Sequence, residues 1–161
     1  TPYGITCEGY VNNDIISIFN SILNKLNKKV ISVNSRIMFV DKYKSQYLHR
    51  DCEEHDEWFA GVVYLNKKYL IKTGTKIIEP AEEEINIVSN NNIDNNTYMQ
   101  YLINQYDLIF KDRESIFINA EYNKFIIYPG KAWHSISSGF GDCKLSSRLS
   151  ESYFIETNIN K

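Results

Sequence analysis

Residues 59–65 read Phe-Ala-Gly-Val-Val-Tyr-Leu, a short apolar run rich in strand-forming residues. From Val30 onward the chain holds a series of such runs, separated by Asn, Gly, Pro and charged residues. They are Val30–Val33, Arg36–Val40, Phe59–Leu65, Tyr69–Ile71, Lys76–Ile78, Ser115–Ile118, Phe125–Tyr128 and Ser147–Ile155. Because few helices separate these runs, they favour an antiparallel sandwich or barrel over a fold of alternating strands and helices.

Two segments predict helices beside the strands. In residues 14–28 apolar side chains recur at helical spacing, and Asn13 or Asp14 can cap the first turn. The segment 82–112 is first acidic, then rich in asparagine, and then continues into a second amphipathic helix. We expect it to be a solvated crossover inserted between two strands rather than a substrate lid. The whole chain, residues 1–161, is expected to form a single domain.

Composition excludes several classes of function. The 161 residues carry 18 basic against 20 acidic side chains, a net charge of −2, without an arginine-rich block. We therefore expect no nucleic-acid partner. No apolar run approaches the roughly 18 residues of a membrane-spanning helix, so we expect no membrane partner. Aromatic residues make up 14% of the chain, which suits a β-rich core, an aromatic-lined pocket or ordinary sheet composition.

Cysteine usage indicates a compartment. The chain has three cysteines, an odd number, without a CxxC spacing. This pattern argues against both a disulfide scaffold and a zinc ribbon. Residues 1–5 do not resemble a signal peptide either. We therefore expect a reducing, cytoplasmic location.

The sequence His49-Arg50-Asp51 separates an imidazole from a carboxylate by one residue. In extended backbone, residues i and i+2 point to the same side, so this pair can grip one metal ion. His134 follows a predicted strand and a Pro129-Gly130 turn. Two histidines and one carboxylate on one face of an ion leave three positions open, as in the facial triad of non-haem Fe(II) oxygenases.

A second set of residues suits a carboxylate ligand. Arg148 and Ser150 share one face of the last predicted strand. A guanidinium can bind a carboxylate through two parallel hydrogen bonds, and a hydroxyl beside it can add a third. Tyr64, in the run 59–65, has a phenol that can donate to the same carboxylate.

In this order along the chain, the motifs resemble those of the Fe(II)/2-oxoglutarate-dependent dioxygenases, in particular the prolyl-4-hydroxylase-like branch. The matching segments are Tyr47–Asp51, Gly61–Asn66, Gly74–Ile77, Phe125–Pro129 with Trp133–Ser135, and Arg148–Ser150. The resemblance implies a mainly β fold with flanking helices, a double-stranded β-helix or distorted, cupin-like jelly roll. It extends over roughly residues 36–155. The motifs assign no second arginine to the substrate.

The resemblance also implies an activity and a set of roles. It implies His49, Asp51 and His134 as catalytic metal ligands, and Arg148, Ser150 and Tyr64 as the residues that hold 2-oxoglutarate. The cofactors would be Fe(II), 2-oxoglutarate as cosubstrate, and dioxygen. The reaction would couple decarboxylation of 2-oxoglutarate to succinate with oxidation of a substrate, most simply its hydroxylation. A prolyl or other amino-acid or peptidyl residue and a small metabolite are all compatible substrates.

Two other functions remain open on the sequence. One is a jelly-roll binding module without enzymatic activity, for example for carbohydrate, and the other is a cupin-type metal protein that does not use 2-oxoglutarate. A different metal cluster, built from Asp51, Cys52 and His55, is also conceivable. Four acidic residues surround His55, however, and this favours a solvated histidine in an exposed loop.

Overall fold

The fold is known from a computed structural model that describes residues 5–42, 48–52, 57–69, 72–78 and 114–159. These ranges contain helix α1 (Asn13–Leu23), a 3-10 turn (Asn24–Leu26) and eight strands. The strands are β1 (Ile5–Glu8), β2 (Lys28–Val40), β3 (Trp58–Tyr64), β4 (Gly74–Ile78), β5 (Ser115–Asn119), β6 (Phe125–Pro129), β7 (Trp133–Ile136) and β8 (Arg148–Ile159). The predicted insertion 82–112 and His55 lie outside the described residues.

The strands form two antiparallel sheets. The larger sheet has the order β1-β2-β8-β3-β6, and the smaller one has the order β5-β4-β7. The long strands β2 and β8 pair from Lys28 opposite Ile159 to Val40 opposite Arg148, with one irregularity between Val30 and Ser32. Strand β3 lies on the other side of β8, with Tyr64 opposite Ser150. The last strand, β8, therefore lies at the centre of the larger sheet, between β2 and β3.

Alternation along β3 and β8 divides the larger sheet into two faces. Phe59 of β3 and two residues of β8, Tyr153 and Ile155, pack with the helix side chains Phe19 and Leu23 in one apolar cluster. The intervening β3 residues belong to a second cluster, which also includes side chains from β6. Its buried members are Ala60, Val62, Tyr64, Ile126 and Tyr128. One face of the sheet thus packs against α1, and the side chains of the other face are available to form a site.

Helix α1 is shorter than the predicted helix over residues 14–28. Its N-cap is Asn12, whose side-chain oxygen accepts a hydrogen bond from the Ile15 N–H at 2.9 Å. After the 3-10 turn, Asn27 adopts a left-handed conformation with φ 57°. This conformation ends helices, and asparagine tolerates it better than most residues. Leu26 is consequently 60% exposed instead of lying on the apolar face of a helix.

The strand boundaries differ from the prediction in three places. The predicted strands Val30–Val33 and Arg36–Val40 are parts of one strand, β2. Strands β1 and β7, four residues each, were not predicted because so short a run gives little periodicity. Tyr69 lies outside the strands, and residues 70–71 are not described. Within the described ranges, no helix has the length and apolar character needed to cross a membrane.

Candidate active site

Backbone hydrogen bonds bring His49, Asp51 and His134 together. His49 and His134 form an isolated antiparallel bridge, in which each N–H donates to the other's carbonyl oxygen, at 3.0 and 2.9 Å. His134 itself belongs to β7 and lies opposite Ile77 of β4. The Asp51 N–H donates to the carbonyl oxygen of Gly130 at 3.0 Å. The smaller sheet and the turn before β7 therefore position all three side chains.

The three side chains present their ligand atoms to a common centre. His49 Nε2 lies 3.7 Å from Asp51 Oδ1, and His134 Nε2 lies 3.4 Å from Asp51 Oδ2. The potential ligand atoms of the three residues all lie within 4.8 Å of one another. Two ligands at about 2.1 Å from one ion are about 3 Å apart when they meet it at right angles. A divalent cation therefore fits this His-Asp-His set with small side-chain adjustments.

The imidazole of His134 is oriented for ligation through Nε2. Its Nδ1 lies 3.0 Å from the carbonyl oxygen of Ala132. A carbonyl only accepts hydrogen bonds, so Nδ1 carries the proton and Nε2 presents its lone pair toward Asp51. A hydrogen bond of this kind holds the ring of a metal-ligating histidine and increases its basicity toward the metal.

Burial sets the protonation state of the cluster. It lowers the pKa of His134 to about 4, against the hydrogen bond to Ala132. Burial, reinforced by the charge of His134, also lowers the pKa of His49 to about 4. Burial raises the pKa of Asp51, whereas the positive charges of His49 and Arg36 oppose this shift. At neutral pH both imidazoles are therefore neutral, which is the form that binds a metal.

These pKa values predict that the metal-free protein loses stability in mild acid. Unfolded histidines take up protons near pH 6.5, whereas the folded ones do so near pH 4. The unfolded state therefore binds more protons between these values, and the free energy of unfolding falls as the pH drops through this window. The loss is on the order of 3 kcal/mol for each histidine, since one pKa unit is about 1.4 kcal/mol. Asp51, whose pKa is raised, opposes the loss in part.

Urea unfolding in EDTA between pH 7 and pH 4, followed by tryptophan fluorescence, measures this effect. His134→Gln is the matched variant, because it removes one of the two titrating groups. We expect its free energy of unfolding to depend about half as steeply on pH as that of the wild type. Equal slopes in the two proteins would contradict the assignment of the low pKa to His134.

Arg148 is the largest fully buried side chain of the described chain and is 1% exposed. Its Nη1 donates to Ser150 Oγ at 3.1 Å, and its Cζ lies 5.4 Å from the centroid of the Tyr64 ring. Its Nε has no hydrogen-bond partner, and no carboxylate among the described residues pairs with it. An unpaired buried charge costs several kcal/mol. Among the described residues the buried guanidinium therefore lacks a counter-charge, and an anionic ligand could supply one.

Tyr64 reaches the same region from the neighbouring strand. It is fully buried, and its hydroxyl donates to Thr75 Oγ1 at 2.8 Å. Burial raises the pKa of Tyr64, so the phenol keeps its proton at neutral pH. Because the Thr75 hydroxyl accepts this hydrogen bond, its own O–H remains available to donate to a ligand. The motif Gly74–Ile77 contains Thr75 but assigns no role to it.

One cavity joins the two groups of residues. It has a volume of about 880 Å³, and its walls include His49, Asp51 and His134 as well as Arg148 and Ser150. Its walls also include Tyr128, as well as Thr75 and Arg36, for which the sequence predicted no place in the site. The Tyr128 ring lies 4.8 Å from the His134 ring, centroid to centroid. Strand alternation was the sequence signal available for Thr75 and Arg36, but it does not tell which face of a sheet lines the cavity.

No protein-family model matches the sequence, and no curated protein matches it either. Among solved structures, an oxidoreductase of the 2OG-Fe(II) oxygenase family from Burkholderia pseudomallei aligns with a TM-score of 0.50 and 14% identity, over 90% of this chain and 53% of that one. Another is SnoK, a non-heme alpha ketoglutarate dependent carbocyclase from nogalamycin biosynthesis, with a TM-score of 0.48, 8% identity, and 94% and 78% coverage. EctD from S. alaskensis, solved with 2-oxoglutarate and 5-hydroxyectoine, aligns with a TM-score of 0.46, 10% identity, and 81% and 44% coverage.

The alignment with the Burkholderia protein shows a shared fold. The chain spans about half the length of that protein. The prediction of a mainly β, jelly-roll fold is confirmed by the two antiparallel sheets and by this likeness. The Burkholderia protein is described as a member of the 2OG-Fe(II) oxygenase family and shares 14% identity with this chain. The described residues of this chain include a His-Asp-His site that suits a metal.

Proposed function

We propose that this chain is an Fe(II)- and 2-oxoglutarate-dependent dioxygenase. In the proposal, His49, Asp51 and His134 hold the iron, while Arg148, helped by Ser150 and Tyr64, holds the far carboxylate of 2-oxoglutarate. The observation that supports it is that the His-Asp-His cluster and the buried Arg148 line the same cavity. A cosubstrate that is a metal chelator at one end and a carboxylate at the other matches both.

The chain's own residues have distinct tasks in this proposal. Bound Fe(II) and 2-oxoglutarate would together supply the electrons that activate dioxygen for oxidation of the substrate. Arg148 supplies the fixed positive charge for the cosubstrate, and the Ser150 hydroxyl orients the guanidinium. Thr75, whose hydroxyl accepts a hydrogen bond from Tyr64, offers one further donor. Buried apolar residues of β3, Ala60 and Val62, line the cavity and help to exclude water.

The type of oxidation is proposed to be hydroxylation. Asp51 retains its carboxylate, so the protein supplies three ligands and frees no position for a halide. The resemblance to the prolyl-4-hydroxylase-like branch extends the proposal to a prolyl or other amino-acid or peptidyl residue, or a small metabolite, as substrate. A chlorinated product formed by the wild-type protein in chloride buffer would contradict this part.

Calorimetry in two steps tests the proposal. Mn(II), a redox-stable stand-in for Fe(II), is titrated into the protein first, and 2-oxoglutarate is titrated into the loaded protein second. We expect both to bind, and we expect 2-oxoglutarate to bind poorly when the metal is absent, because the chelate is then lost. A binding module would respond to neither ligand, and a cupin-type metal protein would respond to the metal alone.

A further inference from the structure

The cavity wall between β2 and β8 changes in burial from one end to the other. On β8 the wall residues include Arg148, Ser150, Ser152 and Phe154, which share one face of the strand, and Tyr153 between the last two. Arg148 and Ser150 are each 1% exposed, whereas Ser152 and Phe154 are half-buried. Arg36 of β2 pairs with Ser152 and is exposed. Arg36 therefore lies at the outer part of the cavity, away from the buried arginine.

Two arginines of the cavity wall lie against aromatic rings. The Arg36 Cζ lies 5.2 Å from the centroid of the Phe154 ring, and the Arg50 Cζ lies 4.9 Å from that of Trp133. Both arginines line the cavity. Stacking fixes the plane of a guanidinium and leaves the N–H groups at its edge able to donate. Within the described part of the chain, neither arginine has an ion-pair partner.

The charges of the cavity are unequally distributed. If iron and the dianionic cosubstrate were bound, the positive charges of Fe(II) and Arg148 would balance the negative charges of 2-oxoglutarate and the Asp51 carboxylate. The described residues of the cavity wall would then retain Arg36 and Arg50 against one further acidic residue, Glu8. Glu8 lies opposite Arg36 in the β1–β2 pair without forming an ion pair with it. A cleft with an excess of one charge attracts ligands of the opposite charge.

We propose that Arg36 and Arg50, two charged residues of the cavity wall, bind an oxyanion group of the substrate, a carboxylate or a phosphate. This inference rests on the proposed function and narrows the substrate to small anionic molecules or to residues that carry such a group. A cavity of about 880 Å³ accommodates 2-oxoglutarate together with a small substrate.

Fluorine NMR of small aromatic probes tests the inference. The protein is loaded with Mn(II) and N-oxalylglycine, an unreactive analogue of 2-oxoglutarate that occupies the site at Arg148. Fluorophenylacetate, fluorophenyl phosphate and the neutral fluorophenylacetamide are then titrated separately, with Zn(II)-loaded protein as the diamagnetic reference. We expect Mn(II) to increase the fluorine relaxation rate of at least one anionic probe in a saturable manner. We expect it to have little effect on the relaxation rate of the amide. The preference between acetate and phosphate identifies the anion.

Three variants link the binding to the two arginines. Arg36→Gln and Arg50→Gln are each expected to weaken the anionic probe about ten-fold, the effect of losing one charge-assisted hydrogen bond. Lys29→Gln is the matched control, because it removes the same charge from an exposed position on β2 that does not line the cavity. Equal binding of the amide, no relaxation of any probe, or an equal loss in Lys29→Gln would overturn the inference.

The proposed function and this inference fail in different ways. If Mn(II) or N-oxalylglycine does not bind, the proposed function is wrong. The probes are then titrated into the unloaded protein, with line broadening as the readout. Loss of binding in Arg36→Gln and Arg50→Gln, but not in Lys29→Gln, would still support the anion site. Unchanged binding in both arginine variants, or no binding of the anionic probes at all, would overturn it. If the metal and N-oxalylglycine bind while the anionic probes do not, only the inference fails.

Discussion

Asp51→Ala is expected to abolish turnover of 2-oxoglutarate and to remove most of the metal affinity. Asp51 is the one carboxylate in the three-residue cluster and approaches both histidines, at 3.7 and 3.4 Å. Without it, two neutral imidazoles remain, and the only anionic ligand of a divalent cation is lost. We expect the Mn(II) affinity to fall at least about hundred-fold, because changes even outside the first ligands cost ten- to hundred-fold in metal sites.

The metal affinity is measured by electron paramagnetic resonance of free Mn(II), and turnover is measured as succinate formed with Fe(II) and ascorbate. Asp142→Ala is the matched control, since it removes an aspartate whose side chain is 69% exposed and pairs with Lys42. We expect the control to retain wild-type affinity and turnover. Succinate formation by Asp51→Ala at the wild-type rate would refute the assignment of Asp51 as a ligand.

Arg148→Lys and Arg148→Ala are expected to weaken 2-oxoglutarate binding while metal binding persists. Lysine keeps the charge but lacks the planar fork that binds both carboxylate oxygens, so we expect a loss of about ten-fold. Alanine removes the charge as well, and we expect a loss of about hundred-fold or more. Calorimetry with 2-oxoglutarate in the Mn(II)-loaded protein measures both. Unchanged affinity in the two variants would mean that Arg148 does not hold the cosubstrate.

Arg148→Met separates binding from folding. In the absence of ligand, the buried guanidinium has no carboxylate partner among the described residues, and its Nε has no hydrogen-bond partner. Methionine fills a similar volume without a charge, so the ligand-free variant is expected to be at least as stable as the wild type. 2-Oxoglutarate with Mn(II) should then raise the Tm of the wild type by more than that of the variant. Severe destabilisation of Arg148→Met would indicate a structural role instead.

The local pattern of the sequence determined which residues share a face. Alternation in the last strand predicts that Arg148 and Ser150 lie on one side, and both line the cavity. The same alternation accounts for Tyr153 and Ile155, which pack against the helix on the opposite side. Such patterns arise from backbone geometry alone, so they can be read without knowing the neighbours of a strand.

Family resemblance and local pattern together predicted the mainly β fold, but not the ends of its elements. The helix was predicted to reach residue 28, but α1 ends at Leu23, and the 3-10 turn after it is capped by Asn27, which has a left-handed conformation. The strands β1 and β7 became visible only in the sheets, since four residues give little periodicity. Pairing with a neighbouring strand, rather than local propensity, stabilises such short segments.

Tertiary structure alone decided how the residues of the candidate site meet. His49 and His134 are far apart in sequence, and a two-residue bridge joins them. The Tyr64 hydroxyl donates a hydrogen bond to Thr75, and the pairing of β2 with β8 brings Arg36 to the cavity wall. Each of these contacts depends on the register between strands that are distant in sequence. Local sequence fixes the face on which a side chain lies, whereas register and the packing of the two sheets decide what that side chain meets.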